Sequence, residues 1–97
     1  MTASKPLDGR TAIVTGASSG IGRAIAEHLG DAGAHVFLSG RTAASMQDSK
    51  KIIEEAGGKA SVITADVRDV AQIYGLVDSA LSETGQLDIM VNNAGIS

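Results

Sequence analysis

Apolar positions along the chain fall into short runs separated by stretches where they recur every three or four residues. "TAIVTG", 11–16, is rich in β-branched residues and reads as a buried strand, and beyond it Ile21, Ile25 and Leu29 recur as on one face of a helix. Gly30 and Gly33 are expected to break that helix. "AHVFLSG" reads as a second strand, and "TAASMQDSKKIIEEAGG" as a second helix closed by Gly57 and Gly58. "KASVITADV" gives a third strand, and "RDVAQIYGLVDSALSETG" a third helix with Val70, Ile73, Val77 and Leu81 on one face. "LDIMVNNAG" gives a fourth strand.

Strands that are apolar on nearly every residue need cover on both faces, and strands separated by helices run parallel through right-handed crossovers. The pattern therefore predicts an α/β fold, a doubly wound parallel sheet of about four strands in the order 3-2-1-4 with three helices. The fourth strand is then an outer one, with the side chains of Ile89 and Val91 expected to be uncovered and its edge open to a second copy or to further chain.

Between the first strand and first helix lies "TGASSGIG", which places Gly16, Gly20 and Gly22 in one loop. The first βα turn of such a sheet is where phosphates bind, since free amides at a helix start point at the ligand and the helix dipole favours an anion. Gly16 is expected to let the chain turn out of the strand, Gly20 to keep a Cβ away from the ligand, and Gly22 to bring the helix close to the sheet. Ser18 and Ser19 add hydroxyls. The spacing is Gly-x-x-x-Gly-x-Gly, with Ser18 where a Gly-x-Gly-x-x-Gly fingerprint has its middle glycine, and no Gly-Lys-Ser/Thr of a Walker loop follows.

Composition removes other functions. Ninety-seven residues make one domain, 1–97, and the net charge of -3 argues against a general affinity for nucleic acid or an anionic membrane. No cysteine is present for disulfides or thiolate metal sites, and His28 and His35 form no metal-ligand cluster. "MTASKPLDGR" lacks an apolar signal core and no apolar run reaches the ~18 residues of a membrane span. A cytoplasmic protein is expected.

"TGASSGIG", then "ADV", then "NNAG" at the end of the fourth strand resemble, in order and spacing, the N-terminal half of the short-chain dehydrogenase/reductases, in the 3-oxoacyl-carrier-protein reductase-like subgroup. The resemblance covers essentially the whole chain and implies the Rossmann-like fold. It implies that Gly16, Ser18, Ser19, Gly20, Ile21 and Gly22 line the pyrophosphate and adjoining ribose of a nicotinamide dinucleotide. Asp66 is expected to accept the adenine amino group, with Val67 beside the ring. Asn93, Ala94 and Gly95 pass the cofactor's ribose, while Asn92 braces neighbouring strands.

Cofactor choice turns on the end of the second strand, where an acid about 20 positions past the glycines would bind the ribose 2′-hydroxyl of NAD. The chain reads "LSGRT": Gly40 stands at the acidic position, leaving room, and Arg41 follows. NADP is expected over NAD, with Ser39 and Thr42 as further hydrogen-bond donors.

The family's catalytic serine and Tyr-x-x-x-Lys pair have no counterpart here, since Tyr74, the only tyrosine, is followed four residues later by Asp78. No catalytic residue is assigned. The expectation is a truncated, cleaved or incompletely observed reductase whose parent moves hydride between NADP(H) and a carbonyl or alcohol and is homo-oligomeric. The isolated chain is expected to bind without turnover; the alternative is a free-standing, non-catalytic dinucleotide-binding or interaction module.

Overall fold

The computed structural model describes residues 5–93. Four strands, β1 (Thr11–Thr15), β2 (His35–Gly40), β3 (Lys59–Thr64) and β4 (Ile89–Asn92), alternate with three helices, α1 (Gly20–Asp31), α2 (Ala43–Glu55) and α3 (Val70–Thr84). All strand pairs are parallel and the order is β3-β2-β1-β4. Alternation along the two central strands divides the core into two layers. Ala12, Val14, Val36 and Leu38 face Ala26, Met46 and Ile53 of α1 and α2. Ile13 and Phe37 face Leu76 and Ala80 of α3 on the other side. The expected doubly wound sheet is therefore present in its expected order.

Several sequence expectations change in detail. Gly30 does not end α1, which runs on to Asp31; a Cβ there would collide with the Ile53 side chain, so this glycine lets α1 and α2 approach closely. The chain turns instead at Gly33, whose φ of +107° suits glycine. In α3 the buried residues are Leu76 and Ala80, not Val70 and Leu81, which are 61% and 43% exposed. Asp69 caps this helix, its carboxylate accepting from the Ala71 amide at 3.0 Å.

β4 is the outer strand expected, but its side chains are covered differently. Ile89 and Val91 are half-buried against the layer formed with α1 and α2, while Met90 on the α3 side is 43% exposed. The reason is lateral placement: the buried contacts of α3 go to Ile13 and Phe37 of β1 and β2, which leaves the β4 face beyond it bare. Asp88 fastens the start of β4 by accepting from the Thr11 amide at 2.8 Å while its own amide donates to the Thr11 carbonyl at 2.9 Å.

At the opposite end of the sheet from the βα turns, His35 stacks on Phe37 with ring centroids 4.6 Å apart, and its Nε2 lies 3.0 Å from the Ser61 hydroxyl. Burial lowers the imidazole pKa and Lys59 adds to that, against the opposing pull of Glu83. The unfolded chain then takes up this proton before the folded one. The contribution to stability is complete above the ordinary histidine value of ~6.5 and is lost as pH falls through the lower folded value. Thermal melts are expected to show Tm declining from about pH 6.5 downward, with His35→Gln removing that portion of the decline. Parallel Tm profiles for the two proteins between about pH 6.5 and 5 would overturn this assignment.

Candidate dinucleotide-binding site

The carboxyl ends of β1, β2 and β3 open into a cleft of about 590 Å³. Its lining brings together the glycine-rich turn (Gly16, Ser18, Ser19, Gly20 and Ile21), the end of β2 (Gly40, Arg41 and Thr42), the turn after β3 (Ala65 to Arg68) and Asn93. Four segments far apart in sequence thus meet at one end of the sheet, which is where parallel α/β folds bind ligands.

The glycine-rich turn needs its glycines for different reasons. Gly16 and Gly20 hold φ values of +63° and +59°, in the left-handed region that side chains disfavour. A Cβ on Gly20 would meet nothing within 4 Å, so its position borders open cleft. Gly22 is buried, and a Cβ there would run into the Gly16 carbonyl and the Asn93 amide group. The close approach it permits is therefore between helix and turn, and between helix and the residue that follows β4.

Ser19 is the N-cap of α1, yet its side chain makes no capping bond and no acidic residue stands in the first turn. That end of the helix offers a hydroxyl and a positive dipole end without a competing carboxylate, a chemistry suited to an anion. Ile21 follows, 66% exposed and on the cleft wall although it lies in the apolar stripe of the helix. Ser18 is engaged with protein: its Oγ accepts from the Thr42 amide at 3.2 Å, and its carbonyl accepts from the Ser45 hydroxyl. Its own hydroxyl proton remains to be donated.

The space expected at Gly40 is taken. A Cβ there would collide with Ser18 Oγ and press on Met46 Sδ at 3.3 Å. Ser39, expected as a donor, is fully buried with an unpartnered Oγ and does not line the cleft. Arg41 is two-thirds exposed at the rim, with one Nη2 3.8 Å from Asp66 Oδ1.

Arg68 is the cleft residue that sequence reasoning missed. Its Nε and Nη2 fork onto the Asp66 carboxylate at 3.0 and 2.8 Å, and its backbone amide donates to the same Oδ1 at 3.0 Å. These bonds, with the nearby charge of Arg41, hold the Asp66 carboxyl well below the usual carboxylate range, so it is ionised at any pH of interest. The only sequence signal was Asp-x-Arg in the turn between a strand and a capped helix, which reads equally well as a solvated charge.

Asn92 and Asn93 separate in role. The Thr15 hydroxyl donates toward Asn92 Oδ1 at 3.2 Å, which ties β1 to β4. Asn93 donates from its backbone amide to Thr15 Oγ1 at 3.0 Å and from Nδ2 to the Gly16 carbonyl at 3.3 Å, supporting the turn from below. Ala94 and Gly95 lie outside the described residues. Among the described residues no helix is long and apolar enough to cross a membrane, and no group of three His, Asp or Glu side chains could hold a metal ion.

Comparison with known proteins agrees with this geometry. The family model for short chain dehydrogenases matches residues 10–97. The short chain dehydrogenase claC of Passalora fulva is 46% identical over 93 residues, covering 93% of this chain and 34% of that protein. Glucose 1-dehydrogenase 2 of Bacillus subtilis is 46% identical over 94 residues, covering 96% of this chain and 36% of its own length. The crystal structure of a hydroxysteroid dehydrogenase from Escherichia coli superposes with a TM-score of 0.84 at 38% identity, over 89% of this chain and 37% of that one. The chain thus spans about a third of the length of these relatives. With a matched family model over nearly all its residues and the family's fold, the chain belongs to the short-chain dehydrogenases.

Proposed function

We propose that these residues are the dinucleotide-binding part of a cytoplasmic, NADP-dependent oxidoreductase that interconverts a carbonyl and an alcohol. The family comprises oxidoreductases that bind nicotinamide dinucleotides. The observation that carries NADP over NAD is Arg41, an exposed guanidinium on the cleft rim beside a residue, Gly40, that has no carboxylate to offer a ribose.

The residues present fit such a ligand. The uncapped, acid-free start of α1 and the glycine backbone of 16–22 suit a pyrophosphate. In this reading Ser18 and Ser19 donate their hydroxyl protons to phosphate or ribose oxygens, Ile21 covers the cleft wall, and Gly22 keeps the helix start near the turn. Asp66, an anion on an exposed turn, accepts the adenine amino group on a lone pair that Arg68 leaves free, and Val67 flanks the ring. Asn93, followed by Ala94 and Gly95, passes the ribose nearest the reacting ring. A bound nicotinamide supplies the hydride chemistry; the groups described here bind and orient. A charge-assisted bond from Arg41 to a 2′-phosphate contributes about 1.5–3 kcal/mol.

Titration of the full chain with NADPH and NADH, followed by nucleotide fluorescence, is expected to give a Kd for NADPH roughly ten- to a hundredfold lower. Equal values would overturn the reading.

A further inference from the structure

Asp66 faces two cations of unequal grip. Arg68 holds it through a two-pronged guanidinium contact plus a backbone bond, whereas Arg41 reaches it by a single contact at 3.8 Å, beyond hydrogen-bond distance. The turn that carries Arg68 is itself pinned: Gln72 Oε1 accepts from the Asp66 amide at 2.7 Å, and its Nε2 donates to the Asp69 cap at 3.3 Å. The fork is therefore assembled by local structure before any ligand arrives. Two arginines against one carboxylate leave a net positive charge at the rim, and the loosely held member is Arg41.

We propose that Arg68 is a positioning residue that determines cofactor specificity: by occupying the Asp66 carboxylate it keeps Arg41 from closing onto that carboxylate and leaves the Arg41 guanidinium available to a phosphomonoester on the ligand's ribose. The inference rests on the NADP reading of the cleft. Without Arg68, Asp66 is an ionised carboxylate whose nearest cation is Arg41, and a full ion pair between them competes directly with a 2′-phosphate for the same nitrogen atoms. Lysine cannot replace the fork, because it offers a point charge where two parallel donors are used.

The test is the ratio of Kd for NADH to Kd for NADPH in the full chain, which cancels any loss at the adenine common to both. Arg68→Ala is expected to lower that ratio roughly fivefold to tenfold, and Arg68→Lys to fall close to it. Asp66→Asn placed in the Arg68→Ala background is expected to restore the ratio, because Arg41 then has no carboxylate to close on. A purely structural role for Arg68 would not give that rescue. A ratio lowered by Arg68→Ala but not restored by Asp66→Asn would mean that Arg68 meets the phosphate itself, and would overturn the positioning role. A wild-type preference for NADPH that Arg68→Ala leaves unmoved overturns this inference alone, while a wild-type ratio of one overturns the NADP reading together with it.

Discussion

Gly40→Asp combined with Arg41→Ala is expected to invert the preference between the two nicotinamide cofactors, changing the NADPH-to-NADH affinity ratio on the order of 10²–10⁴-fold. Half of that effect is the loss of the Arg41 guanidinium from the rim. The other half is a new carboxylate at the end of β2, which repels a phosphate and accepts from a ribose 2′-hydroxyl. The packing adds a condition. A side chain at position 40 collides with the Ser18 hydroxyl, which must then leave the Thr42 amide. Affinity for both cofactors is expected to fall while the ratio inverts, so the ratio is the quantity to measure. A double variant that still binds NADPH more tightly, in protein whose circular dichroism matches the parent, would sink the assignment of Arg41.

Polypeptide consisting of these 97 residues alone is expected to bind NADPH and to reduce no carbonyl with it. Positioned acid–base catalysis contributes ~10²–10⁴-fold in rate, and none of the described residues that line the cleft provides it. Among these described residues, the only ionisable side chains are those of Arg41, Asp66 and Arg68. The carboxyl of Asp66 is held far below neutrality by Arg68, so it cannot deliver a proton at pH 7. Tyr74 is 67% exposed on α3 and does not line the cleft. The measurement is NADPH oxidation in the presence of a panel of aldehydes and ketones, on material verified by intact mass. Turnover above the uncatalysed rate would require a proton donor that none of these residues supplies, whereas binding without turnover also fits a free-standing binding module.

Much of this architecture was legible because strand and helix signals agreed with one another. Apolar, β-branched runs marked all four strands to within a few residues, and the helical stretches between them forced the parallel order. What the pattern hid were relations between distant residues. Gly30 reads as a helix breaker until Ile53, on the next helix, is seen to fill the space a Cβ would need. The apolar rhythm of α1 and α3 included Ile21, Val70 and Leu81, yet periodicity counts apolar residues without telling which have a neighbour to cover them.

The site was legible to a similar depth. Gly16, Gly20, Arg41, Asp66 and Asn93 line one cleft, while Gly22, expected beside them, is buried behind the turn. Arg68 escaped because its meaning lies in a fork onto a residue two positions away. Gly40 was misread because the missing side chain was visible in the sequence, while the Ser18 hydroxyl occupying its place was not.

The stitching of the glycine-rich turn to the start of α2 has a consequence for how cofactor choice changes over generations. Ala17 donates to the Ser39 carbonyl at 3.0 Å, and Ser18 accepts from Thr42 and from Ser45, so the segment facing one end of the cleft is fastened to the segment facing the other. Positions 18 and 40 share one small volume, and substitutions at them cannot contribute additively. A lineage that acquires a side chain at position 40 first loses the Ser18 contact and holds its ligand poorly; one that first shortens Ser18 to glycine can accept the same change at smaller cost. The order of the two steps therefore decides which mutational path selection leaves open.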